Sequence, residues 1–423
     1  MKITKVLGFQ ILDSRGRPSV AARVTLEDGS SHIARVPSGA STGTHEALEL
    51  RDRGTGYEEN FYRGASVFGA VANINEIIAP KITSLPPSYG DIDQILNELD
   101  PTSNHRNLGA NTKLAVSLAI AKAEAHSKNL SLARMLFGEG ELIIPMPMVN
   151  ILSGGAHANR SLDIQDVLII PRGANSFTQS ISWIASIREI AARKGHDLGQ
   201  ITHLVADEGG LGMKFPSIAT ACEFVISCIA DSGLRPGIDV SLALDFASTQ
   251  YFEAEKYNLK SEGRNLDKES YINYVASLVN NLPIISIEDP FAEDDWGSWE
   301  NFRELAPSEL QILGDDLFTT NLERLERGIS SNSANAILIK VNQNGLVSGT
   351  EEVLKRAQKS GFRTVVSARS GETEDSWLAD LAIGWRANQI KVGSTHGSER
   401  SAKWNRLLEF EATEKTIFAK PYG

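Results

Sequence analysis

Apolar and polar residues alternate over positions 20–26 and 32–36, on either side of Asp28-Gly29. That rhythm predicts two strands joined by a tight turn. The spacing then lengthens to a helical one, predicting helices over residues 65–79, 90–99 and 111–128. The third carries an apolar stripe through Leu114, Val116, Leu118, Ala119 and Ala121, and Pro86-Pro87 breaks the chain between the first two.

From residue 143 the pattern changes. Short apolar runs recur at 146–150, 164–170, 240–245, 284–288, 312–315, 337–340, 364–369 and 389–391. Most end in a charged or polar residue before a helical stretch. Eight strands with intervening helices predict a (β/α)8 barrel over residues 139–423, whose active site lies at the carboxyl ends of its strands. The first two runs stand too close for a helix between them, so an antiparallel start is expected. Residues 1–138, mixed α and β, are expected to cap the barrel. At 423 residues the chain exceeds what one core usually supports, which agrees with two domains.

Three carboxylates close successive apolar runs: Asp245, Glu288 and Asp315. A carboxylate at the end of a buried strand is costly unless a cation meets it. Three of them at one barrel mouth make a hard oxygen ligand set of the kind Mg²⁺ takes, with positions left for water and substrate. Any one alone could instead cap the following helix; three in successive strands fit that role poorly.

Cations follow. Lys340 ends the run 337–340, and Lys391 ends 389–391. Burial and neighbouring positive charge lower a lysine pKa, so Lys391 and a metal could leave Lys340 neutral enough to take a proton. An ion pair between Lys340 and one of the acids is the alternative. Arg369-Ser370 ends another strand, where guanidinium plus hydroxyl would suit a phosphate.

The net charge of −11 argues against nucleic acid as the main partner. No apolar run approaches the ~18 residues of a membrane span. The first residues lack the apolar segment of a signal peptide, and two cysteines, Cys222 and Cys228, cannot build a disulfide framework. A cytoplasmic location is expected.

Four blocks carry a resemblance to a known family: Leu12-Asp13-Ser14-Arg15-Gly16, the stretch 36–43, the stretch 286–296 and the stretch 370–375. In this order, over nearly the whole chain, they resemble enolase (phosphopyruvate hydratase). The resemblance implies a Mg²⁺-dependent enzyme of enolase type, with one ion bound by Asp245, Glu288 and Asp315 and a second, with substrate, by Ser41 in a lid loop that includes Ala40. It implies Lys340 as the base at C2 and Lys391 as the holder of the substrate carboxylate, the superfamily pattern of a base beside magnesium. Arg369 and Ser370 match the phosphate-binding pair, Glu208 the acid that protonates the leaving hydroxyl, and His157 a loop histidine that closes on substrate. A second carboxylate near Glu208 would raise its pKa and keep it protonated. A homodimer is implied as well.

Three stretches depart from the family pattern. After Gln165 stands Asp166 in place of the expected Glu, which retracts the charge by one methylene. Ala368 stands where a histidine precedes the Arg-Ser pair, which predicts extra space beside the phosphate site. The rim loops 210–213 and 342–345 also differ. These changes point to a relative that keeps the enolate step on a 2-phosphoglycerate-like or phosphoenolpyruvate-like acid with a retuned acid side. The space at Ala368 suits a carboxyphosphonoenolpyruvate synthase acting on a phosphonate acid. An ordinary enolase and a non-catalytic scaffold are the other readings, the last weakened by the intact base and metal set.

Overall fold

In the computed structural model, which describes residues 1–40, 43–55 and 61–422, the chain begins with a three-stranded antiparallel sheet. Its strands are Ile3–Leu12, Pro18–Leu26 and Ser31–Arg35. The second and third are the predicted pair. The first escapes the sequence pattern because its burial does not alternate cleanly and its register shifts between Ile3 and Lys5. Two of the predicted helices form as Tyr89–Leu99 and Ala110–Ser127. The stretch expected at 65–79 is instead helix Phe68–Ala72, a wide turn Asn73–Ile78, and Ala79–Ile82. Pro80 has no N–H to give to the carbonyl four residues earlier, and the widened turn absorbs that loss.

The eight expected runs close a barrel: Met146–Ser153, Asp166–Ile170, Ser241–Asp245, Ile284–Glu288, Gln311–Gly314, Ala336–Ile339, Arg363–Ser367 and Gln389–Lys391. The second strand runs antiparallel to both neighbours, and all other pairings are parallel. This reversal has a consequence for chemistry. The amino end of Asp166–Ile170, not its carboxyl end, lies at the mouth, so Asp166 pairs across from Asp245.

Met146, Met148, Leu168, Ile170, Leu338 and Val365 belong to a small apolar cluster that fills the barrel interior, while a larger cluster packs the strands against the surrounding helices. The interior is a packed core and not a pore. Ser38 bridges Gly371 as an isolated antiparallel pair, and the Ser14 N–H donates to the Glu372 carbonyl at 2.8 Å, which brings the amino-terminal loops onto the mouth. No helix among the described residues is long and apolar enough to cross a membrane.

Candidate active site

The strand ends deliver charged side chains into a region nearly closed to water. Asp245, Glu288 and Asp315 are each 5% exposed or less, as is Lys391. The Lys391 ammonium donates to Asp245 Oδ2 and to Glu288 Oε2, both at 2.7 Å. The Lys340 ammonium bonds directly to Asp315 Oδ2, and Gln343 Nε2 donates to the other oxygen at 2.9 Å. Both lysines and all three acids therefore share one mouth.

Burial works to lower the Lys340 pKa, but the Asp315 carboxylate reverses it and the net direction is upward. Of the two arrangements expected for Lys340, the ion pair with one of the acids is the one formed here. The same balance holds at Lys391, which Asp245 and Glu288 raise well above its ordinary value against the desolvation.

The three carboxylates are braced by these ammonium groups and their oxygens do not all come within 4.8 Å of one another. They nonetheless suit a divalent cation. Glu288 Oε1 is buried with no hydrogen-bond partner, and burial together with Asp245 pushes the Glu288 carboxyl well above the usual range. Its Oε2 is held by Lys391, and the unpartnered Oε1 is the atom left to meet a hard ion. Behind it Asp289, at a positive φ of 41°, accepts the N–H groups of Asp315 (2.9 Å) and Asp316 (2.7 Å), which fixes the direction of the Asp315 loop. Asp289, Asp315 and Asp316 form one acid cluster compact enough to hold an ion.

Beside Asp245, around the amino end of the reversed strand, stand His157, Asp166 and Glu208. Asp166 accepts from the Ser153 hydroxyl at 2.6 Å, and its other oxygen lies 3.3 Å from His157 Nδ1. His157 Nε2 faces Glu208 Oε1 at 3.8 Å, and Asn150 donates to Glu208 Oε2 at 3.1 Å. Burial holds the Asp166 carboxyl above its ordinary value. For Glu208 burial pushes upward too, yet His157, Arg400, Lys391 and Lys340 outweigh it and the net direction is down. The expectation of a raised Glu208 is thereby corrected. Cations converge on Glu208, whereas at Asp166 burial outweighs them.

Arg369 and Ser370 are buried beside Ala368. The Ser370 hydroxyl accepts from the Ala40 N–H at 2.6 Å. Gln165 donates to Asp245 Oδ2 at 3.0 Å and accepts from Gln250 at 2.9 Å. A cavity lined by His157, Glu208, Lys340, Ala368, Arg369 and Lys391, among others, has a volume of about 20 Å³, room for roughly one water. Ala368 faces that cavity, but the extra space expected from the lost imidazole is small. Ser41 lies outside the described residues.

Several contributors carry no sequence signal. Glu46 meets the Arg369 guanidinium at 2.9 Å, and Asn342 joins it at 3.1 Å. Ser153 and Asn150 are ordinary strand residues by pattern, and only the closed barrel turns them toward Asp166 and Glu208.

Comparison with known proteins agrees with this geometry. Residues 3–136 match the family model described as enolase, N-terminal domain, and residues 141–420 match that described as enolase, C-terminal TIM barrel domain. Over 412 residues the chain is 43% identical to a protein named enolase from Wolinella succinogenes, covering 97% of this chain and 96% of the other.

Proposed function

This chain belongs to the enolase family and is an enolase-type lyase, and from that premise we propose that it removes the C2 proton of a 2-phosphoglycerate-like acid in a magnesium-dependent reaction. The observation that carries the reading is the placement of the Lys340 ammonium against Asp315, inside the mouth formed with Asp245 and Glu288. In this reading Asp245, Glu288 and Asp315 hold one magnesium and Ser41 contributes to a second. When bound, the ions supply positive charge to the substrate carboxylate, whose enolate form would otherwise be very costly.

Each side chain then has a task. Lys340 takes the proton from carbon, and Lys391 orients the carboxylate. Arg369 and Ser370, with Ala40 beside them, hold the phosphate, and Gln165 steadies Asp245. Glu208 lines the same small cavity as Lys340, and in this reading it protonates the leaving hydroxyl. His157 and Asp166 lie next to it and supply the proton that Glu208, surrounded by cations, holds poorly. The protein is taken to act in the cytoplasm as a homodimer on a small phosphorylated carboxylic acid.

Ala368 supports a second reading. It lines the same cavity as Arg369, so a bulkier phosphorus group, as on a phosphonate acid, meets less side chain there. The cavity would have to widen to accept it.

The test is solvent exchange at C2 of 2-phosphoglycerate with Mg²⁺ present. Exchange with dehydration is the expected result. Exchange without dehydration would leave Lys340 in its role and favour the phosphonate acid. Loss of both sinks the proposal.

A further inference from the structure

Arg400 is completely buried in the helix Ser398–Thr413, outside every strand end that carries site chemistry. Its guanidinium is turned inward onto backbone carbonyls from three separate loops. Nη1 donates to Arg369 O at 2.6 Å and to Val392 O at 2.9 Å. Nη2 donates to Ser370 O at 2.6 Å and to Asp207 O at 3.2 Å. These carbonyls belong to the Arg369-Ser370 pair, to the residue after Lys391, and to the residue before Glu208. One planar group thus touches the backbone of three parts of the site.

The surroundings are shaped to admit it. Gly393 has a φ of +109°, and a Cβ there would lie 3.2 Å from Arg400 Cδ and 2.7 Å from Glu208 O. The Ser394 N–H donates to Glu208 O at 2.8 Å, so the same turn also holds the acid loop. One helical turn further on, the buried Lys403 ammonium bonds Thr373 O at 2.5 Å and Glu372 at 2.9 Å, and Glu372 accepts the Arg369 N–H at 3.2 Å. The helix presses two cations against the back of the Arg369-Ser370 loop.

Carbonyls orient a guanidinium but do not neutralise it. Among the described residues the one carboxylate paired with Arg400 is that of Glu399, 3.4 Å from Nε, and Nε has no aligned hydrogen-bond partner there. Its charge therefore reaches Glu208 through a dry interior, where screening is weak. A fork with five donors in fixed geometry can span these carbonyls, whereas the three donors of a lysine radiate from one point.

We propose that Arg400 is a positioning residue of the reaction, which sets the spacing of the phosphate-binding pair, the Lys391 strand end and the Glu208 loop through their backbone carbonyls. It touches no substrate atom. Its task rests on the C2 reading of the site, and the spacing decides whether a phosphate held by Arg369 and Ser370 brings the leaving hydroxyl to Glu208. Proton removal by Lys340, on a different strand, depends on it less.

The test uses the full chain with Mg²⁺ and the variant Arg400→Lys, at a temperature well below its unfolding midpoint. Dehydration of 2-phosphoglycerate should fall about 100-fold while exchange at C2 falls less than about tenfold, since displacement of a catalytic geometry by ~1 Å costs about that much. Affinity for inorganic phosphate, measured by calorimetry, should weaken about tenfold. Retention of dehydration and phosphate affinity within about twofold of the wild type overturns the proposal, as does an equal loss of exchange and dehydration. If the wild type neither exchanges nor dehydrates 2-phosphoglycerate, the C2 reading has failed, and phosphate affinity alone decides the role of Arg400. Glu399→Gln is the second variant should Arg400→Lys not fold. Removing the carboxylate strengthens the positive field at Glu208, so the alkaline limb of kcat/KM for dehydration, which deprotonation of that acid sets, should move to lower pH; an unmoved limb overturns the proposal.

Discussion

Glu46 Oε2 stands 2.9 Å from Arg369 Nη1 while its Oε1 stands 3.3 Å from Nη2, so a carboxylate already fills the guanidinium fork that would receive phosphate. The same Oε1 accepts the Gly43 N–H at 2.9 Å, which ties the segment after Ser41 to the phosphate-binding side of the mouth. Phosphate entering this fork must share it or displace Glu46. Glu46→Gln keeps the shape and removes the charge, which weakens a charge-assisted pair by about 1 kcal/mol. Inorganic phosphate should then bind about fivefold tighter by calorimetry. Unchanged or weaker binding would mean that Glu46 assists the anion.

Lys340 is tied to Asp315 in a buried pair, so Lys340→Met has two separable effects. Loss of the base should lower C2 exchange by about 10²–10⁴-fold. Loss of the partner should destabilise the fold by about 3–5 kcal/mol, because a buried carboxylate is left uncompensated. Mg²⁺ should restore much of that stability in thermal unfolding while leaving exchange at its lowered rate. A variant that still exchanges the C2 proton at the wild-type rate would remove Lys340 from the chemistry.

Which parts of this arrangement were legible follows from how each residue works. Asp245, Glu288, Asp315, Lys340 and Lys391 announce themselves because each puts a charge at the end of an apolar run, and an isolated buried charge demands an explanation. The short gap between the first two barrel runs likewise forecasts the reversed second strand. Asp166 was legible as a shortened acid, but not its contacts, because the pairing with Ser153 and His157 depends on that reversal placing its amino end at the mouth. The ion pairs of Lys340 and Lys391 set the direction of their pKa shifts, and no spacing rule supplies such distances. Arg400 was invisible: it acts on carbonyls, which every residue carries, from a helix with no chemistry-bearing pattern.

His157 makes stability depend on pH. Burial alone would lower its pKa, but Glu208 and Asp166 raise it above the ordinary value. The folded imidazole binds its proton more tightly than the unfolded one, so its contribution is complete below about pH 6.5 and drains away as pH rises through the folded value. The raised Asp166 carboxyl has the same sign, its share being lost as pH rises from its unfolded value through its folded one. Urea unfolding between roughly pH 6 and 9 should therefore show falling stability, and His157→Gln should flatten that slope. An equal slope in the variant would assign the dependence to other groups.

Asp166→Glu tests whether the shortened acid is a tuned feature. The side chain is fully buried, with one oxygen held by Ser153 at 2.6 Å and the other 3.3 Å from His157 Nδ1. An added methylene has little room, since Asp166 is fully buried and does not itself line the small cavity beside His157 and Glu208. The longer acid must advance toward His157 and Glu208, and overpacking of this kind costs about 1–3 kcal/mol. Yet it also brings a second carboxylate nearer Glu208, which raises the tendency of the pair to share a proton. We expect Asp166→Glu to lower the unfolding midpoint while raising 2-phosphoglycerate dehydration relative to C2 exchange, both measured on the same preparation. If the midpoint falls and dehydration falls with it, the methylene was removed for packing, and Asp166 already stands where the chemistry needs it.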